Sequence, residues 1–227
     1  MTTFFVRKNL LYLFAGGLFV VFVLLSFFYS VFLSRTKAVP IYTNFYFLVT
    51  EEMHVEAGAE LIKLEGGAGY VLCCEGREYA VISVYLKEGE GESVHAAMTQ
   101  LGKTVQILPV KIDYLYLKGK DKKKESVYLS ALNVLKGYIS LMEECVGLLD
   151  KGSTQESVKR ILIAMRRQIL YTVKQYQREY SPFSRLCRQI AEGLADVENE
   201  ILYASELRYL SCQMVDGYLS LCGQFKL

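Results

Sequence analysis

Two histidines, six cysteines and a few adjacent acidic pairs carry most of the chemistry that this 227-residue chain offers. His54 and His95 stand far apart, and no CxxC pair accompanies them, so a tetrahedral zinc set has no framework. Adjacent Cys73 and Cys74 point to opposite faces of a strand. Cys145, Cys187, Cys212 and Cys222 fall within apolar helical stripes, where a free cysteine packs as a small hydrophobe. The six therefore read as buried thiols, which favours a compartment that is not strongly oxidising. Glu51-Glu52 and Glu143-Glu144 are chain neighbours whose carboxylates diverge, and they make poor acid-base couples. Gly66-Gly67 reads as a turn, since no Gly-rich loop ends in Lys-Ser/Thr and no serine sits in a Gly-x-Ser-x-Gly turn. The chain is expected to be non-enzymatic, without cofactor or metal.

The elements around these residues begin with Leu10 to Leu33, an uncharged run flanked by Arg7 and Lys8 on one side and Arg35 and Lys37 on the other. A helix of that length reaches about 36 Å, enough to cross a hydrocarbon core of about 30 Å. The sequence thus predicts a short basic leader at 1–9, a transmembrane helix at 10–33 and a juxtamembrane linker at 34–43. A cleavable signal peptide would have a shorter apolar core and small residues at its end, where Phe27, Phe28, Tyr29 and Phe32 stand instead. The flanking charges are nearly balanced. The basic leader favours a single-pass protein of the cell membrane, with its N-terminus cytoplasmic and its C-terminal domains extracytoplasmic.

Composition changes near Lys118. Before it, apolar runs alternate with Gly-containing turns; after it, Gly and Pro are sparse and apolar residues recur at helical spacing. The Lys-rich run at 118–124 reads as a solvated linker, with attraction to anionic headgroups or wall polymer as the alternative. A net charge of +2 lends no support to nucleic-acid binding.

Residues 44–117 read as a strand-helix-strand pattern used twice. Phe45-Tyr-Phe-Leu-Val-Thr50 precedes a helix from about His54 to Leu64, then Gly66-Gly-Ala-Gly69 and a strand, Tyr70 to Cys74. Tyr79 to Tyr85 opens the second copy, followed by a helix to Leu101, Gly102 and the strand Val105 to Pro109. Period-2 alternation puts Phe45, Phe47, Val49, Tyr79, Val81 and Ser83 on one face, taken to be the one that receives the two helices. Tyr46, Leu48, Thr50, Ala80, Ile82 and Val84 would then form an open face.

Phe47-Leu48-Val49, the helix bearing Ala57, Ala59 and Leu61, Gly69-Tyr70-Val71, Tyr79-Ala80-Val81, and the helix with Ala96, Ala97 and Leu101 before Gly102 resemble the SPOR (sporulation-related repeat) domain. The resemblance implies a ferredoxin-like βαββαβ fold that binds peptidoglycan glycan strands across its open sheet face. The chain departs from the family pattern there. Thr50, Glu51 and Glu52 follow Val49 where Gln and Gly are usual, and Ile82 and Val84 replace a basic residue and Gly. The six candidate ligand-binding positions make an apolar surface, which more often marks a protein partner or a surface covered by the same chain.

Residues 125–227 read as a three-helix bundle. Tyr128, Leu132, Leu135, Ile139, Met142, Val146 and Leu149 form the first stripe. Ser153-Thr-Gln-Glu156 resembles a capping box opening the second helix. Ser181-Pro182 opens a third, expected to run unbroken to about Cys222 and to overhang the others from Leu207 onward. That overhang needs a partner, either the open sheet face or another protein. Arg166, Arg167, Arg178, Arg185 and Arg188 read as a solvated face with local ion pairs.

The expected fold class is α+β with a membrane anchor: one N-terminal transmembrane helix, a ferredoxin-like SPOR-type domain and a helical bundle. The expected function is wall binding or the positioning of partners during bacterial cell division or sporulation. The expected partners are the membrane, peptidoglycan glycan strands and another membrane or division protein. The alternative is a membrane-tethered scaffold whose SPOR-like fold no longer binds glycan.

Overall fold

The computed structural model describes residues 21–23, 25–26, 36–50, 55–74, 76–118 and 122–223. The chain divides into two compact units, one of residues 1–39 and 116–121 and the other of residues 40–115 and 122–227.

Four strands and two helices follow one another as β1 (Thr36–Thr50), α1 (Val55–Leu64), β2 (Tyr70–Cys74), β3 (Arg77–Tyr85), α2 (Glu88–Gln100) and β4 (Gln106–Lys118). The sheet order is β2-β3-β1-β4, with β3 antiparallel to both β1 and β2. This is the interleaved strand order of a ferredoxin-like βαββαβ unit. The helices of the two halves stop in the same way. After α1 the Gly66 N–H bonds to Lys63 O and the Gly67 N–H to Ile62 O; after α2 the Gly102 and Lys103 N–H groups reach Thr99 O and Met98 O. Gly66 and Gly102 hold the left-handed conformation that this C-terminal motif requires, at φ 92° and 75°.

Residues 36–43 belong to β1, so the expected juxtamembrane linker is strand in the part described. Lys122, Lys123 and Lys124 likewise begin a helix, and the expected Lys-rich linker is shorter than 118–124.

The helical part holds α3 (Lys122–Asp150), α4 (Gln155–Tyr176), α5 (Ser181–Gly193) and α6 (Ala204–Cys222). The three-helix bundle is therefore corrected to four helices, because the expected third helix breaks after Gly193. A Cβ at Gly193 would stand 2.6 Å from Leu210 Cδ2, so a side chain there would have to displace the end of Leu210 where α6 folds back at the corner. The turn is clamped by Gln155, which accepts from the Leu202 N–H at 3.2 Å and donates to the Leu202 carbonyl at 3.3 Å. Leu135, Met165 and Ile190, from three different helices, are fully buried. The capping box does not form: Thr154 is the N-cap of α4, makes no side-chain cap bond, and shares its hydroxyl with Ser157 at 2.9 Å.

The membrane-spanning helix and the single-pass location also require correction. Among the described residues no helix is long and apolar enough to cross a membrane. The long helices carry charge along their length, as Glu143 and Glu144 in α3, Arg166 and Arg167 in α4, and Arg208 and Asp216 in α6 show. Of the expected span at 10–33, residues 21–23, 25 and 26 are helical, and the rest lies outside the described residues.

Candidate functional site

The sheet has helices on both faces, and the faces are the reverse of the expected ones. The register between β1 and β3 runs Tyr46↔Tyr85, Phe47↔Val84 and Leu48↔Ser83, then jumps to Val49↔Val81 and Thr50↔Ala80. Ile82 is the extra residue of a β-bulge, and it reverses the facing of β3 relative to simple alternation. Ala80 packs with Ala59 and Ile62 of α1, and Ile82 joins that cluster. A Cβ at Gly91 of α2 would touch Tyr85 and approach Tyr46 Cβ. Tyr46, Ala80 and Ile82 thus lie under α1 and α2, the face expected to be open.

The opposite face is covered by α6. The Phe45 and Tyr218 rings meet edge-on at 5.3 Å, and the Thr43 and Tyr218 hydroxyls share a hydrogen bond at 3.3 Å. The Tyr70 hydroxyl donates to Asp216 at 2.6 Å, and its ring meets Tyr209 at 5.3 Å. Arg208 donates to the Gly66 carbonyl and binds Asp150 through a 2.7 Å bond, pinning α6 to the turn after α1 and to the end of α3. Of the six expected ligand-binding residues, Tyr46, Leu48, Thr50, Ala80 and Val84 are buried and Ile82 is half-buried. Val84 pairs with Phe47, away from Tyr46, so the six do not form one surface.

No family model matches the chain, and neither curated proteins nor solved structures do. The SPOR resemblance, with its peptidoglycan and sporulation roles, thus gains no support from relatives. The covered sheet also removes the open surface those roles required.

Two grooves remain on the α1/α2 side and at the α5–α6 corner. The first, about 530 Å³, has Thr50 and Ile82 in its floor, Leu61, Ile62 and Met98 in its walls, and a rim closed by the Lys103–Glu65 pair at 2.8 Å. Leu61, which lines it, is exposed. The second, also about 530 Å³, lies where α5 turns into α6 and is bordered by Lys63 of α1.

A third, polar cleft of about 480 Å³ holds the titratable group that sequence reasoning missed. Glu143 of α3 accepts from the Leu86 N–H at 3.2 Å. Burial first, and then neighbouring Glu90, push its carboxyl up to about 7 against the opposing Leu86 hydrogen bond. Glu90 in turn pairs with Lys87 at 3.0 Å. The partner of Glu143 is thus Glu90, more than fifty positions earlier in the chain, and not its sequence neighbour Glu144. No sequence signal marks that pair. Ser140, Glu144 and Lys151 complete the lining, with no nucleophile held against a base.

His95 has a structural role: its Nε2 meets the Val105 carbonyl at 3.0 Å and fastens α2 to the approach of β4. His54 lies outside the described residues. Among the described residues no group of His, Cys, Asp and Glu is arranged to hold a metal ion. No disulfide joins the six cysteines, and Cys73 alone of them is exposed. Arg166 donates to the Ala191 carbonyl at 3.1 Å, so one member of the expected solvated arginine face instead ties α4 to α5.

Proposed function

We propose that this chain is a non-enzymatic protein-interaction scaffold, in which α6 joins a βαββαβ sheet to a four-helix layer and leaves apolar grooves for protein partners. The observation that carries it is the position of α6, which occupies the sheet face a glycan strand would need. Large apolar side chains are instead exposed at the grooves, where Leu61 is 59% and Ile201 63% exposed. Exposed apolar residues gathered at concave places are more characteristic of protein partners than of sugars, which need hydrogen-bonding groups beside an aromatic platform.

The test has two parts. The purified full chain is sedimented with isolated peptidoglycan, and it is expected to stay in the supernatant; specific retention would overturn the reading. A photo-crosslinking residue is then placed at Leu61, at Ile201 and, as control, at Arg160 in the native host. Adducts with another polypeptide are expected at a groove position and not at Arg160, and no adduct at either groove would also overturn it.

A further inference from the structure

The groove at the α5–α6 corner combines an apolar floor with a predominantly acidic rim. Val197, Leu202, Leu207 and Leu210 are buried along it, and Ile201 projects outward beside them. The Gln155 clamp on Leu202 fixes this arrangement, holding one residue inward and its neighbour in solvent. Around the apolar strip stand the carboxylates of Glu192, Asp196, Glu200 and Glu206, opposed by the single ammonium of Lys63. None of the four carboxylates is in an ion pair among the described residues. The α1–α2 groove differs in this respect, because its rim charges Lys103 and Glu65 already neutralise each other.

We infer that the α5–α6 groove docks a basic polypeptide segment of a partner protein, one that places apolar side chains against the exposed Ile201 and Tyr209 and Lys or Arg over the acidic rim. Charge complementarity selects the partner and speeds encounter, while the apolar strip supplies the contact that holds it. The inference rests on the scaffold reading and names the partner's chemistry at one of its surfaces.

The test titrates the full chain against a fluorescent amphipathic peptide built from lysine and leucine, its glutamate-leucine counterpart, and spermidine as competitor. The Lys/Leu peptide is expected to bind with an affinity that falls as salt rises, and the Glu/Leu peptide to show no binding. Glu200→Lys with Glu206→Lys should weaken binding about tenfold. Ile201→Ser should weaken it while preserving the salt dependence. The exposed pair Glu92→Lys with Glu179→Lys, outside the groove, makes the same net-charge change and should leave affinity unaltered. All substituted side chains are exposed, and unchanged denaturation midpoints would show that the variants fold.

Equal affinity in the wild type and both groove variants would overturn the inference. So would full displacement by spermidine at matched charge, which would mark the groove as a small-cation site. Either result leaves a crosslink at Leu61, and with it the scaffold reading, intact; retention on peptidoglycan or absent crosslinks would remove that reading instead.

Discussion

The Tyr70 hydroxyl and the Asp216 carboxylate meet at 2.6 Å, joining an edge strand of the sheet to the last helix. Burial, with the Asp216 carboxylate beside it, holds the Tyr70 phenol well above its usual range, so the hydroxyl stays a donor. Tyr70→Phe keeps the ring against Tyr209 and deletes only the donor. A loss of about 1.5–3 kcal/mol is expected in urea denaturation, as for hydrogen bonds to charged groups. Asp216→Asn should lose a similar amount, and the double variant less than their sum. Additive losses would mean that the bond contributes nothing.

Glu143 should make stability fall with rising pH. Its carboxyl titrates at about 7 in the folded chain against 4.5 for the free group. Between those values the folded state holds the proton more tightly than the unfolded one, so the stabilisation is complete below pH 4.5 and lost as pH rises through 7. Glu143→Gln retains an acceptor for the Leu86 N–H and cannot ionise. Denaturation midpoints at pH 5 and pH 8 should converge in the variant relative to the wild type; an unchanged difference would show that Glu143 titrates normally.

Gly69 should tolerate no side chain. Its φ is +60°, and a Cβ there would lie 2.5 Å from the Ala59 carbonyl oxygen and 2.8 Å from Lys63 Cβ, backbone and stem atoms that have little room to retreat. Gly69→Ala is expected to destabilise by about 2–5 kcal/mol, combining left-handed strain with overpacking. Gly66→Ala, at φ +92° with open space around it, should show only the strain, about 1–2 kcal/mol. Comparable losses in thermal or chemical denaturation would contradict the close approach of α1 to β2.

Thiol reactivity should separate Cys73 from the other five cysteines. Burial pushes the Cys145 thiol up to about 11 and those of Cys187 and Cys222 up to about 12, which suppresses the reactive thiolate as well as access. With Ellman's reagent the native chain should release one prompt equivalent and the remainder only on denaturation. Cys73→Ser should abolish the prompt phase, and any fast reaction surviving in that variant would show a second accessible thiol.

Local pattern was enough to locate the elements. The apolar runs opening at Phe45 and Tyr79, the glycines after α1 and α2, and the stripes through Leu135 and Met165 all mark structure that is present, because backbone hydrogen bonding and helix termination depend on residues a few positions apart. The facing of the sheet was not legible. From Phe45 to Val49 every residue is apolar and every one is buried, as in a strand covered on both sides, so alternation carries no polarity from which to choose a face. The bulge at Ile82 then turned Val84 away from the other five expected positions. The break after Gly193 was equally hidden, since the apolar periodicity continues into α6 and the glycine's closeness to Leu210 exists only in the folded chain.

The sequence by itself therefore determined the βαββαβ order and the helical character of the second half, both of which follow from neighbours along the chain. Tertiary structure alone decided that α6 fills the sheet's second face, that Glu143 meets Glu90, and that four carboxylates surround Ile201. Each of these joins elements distant in sequence, and such contacts are set by the competition among all apolar surfaces for burial, which no local pattern encodes.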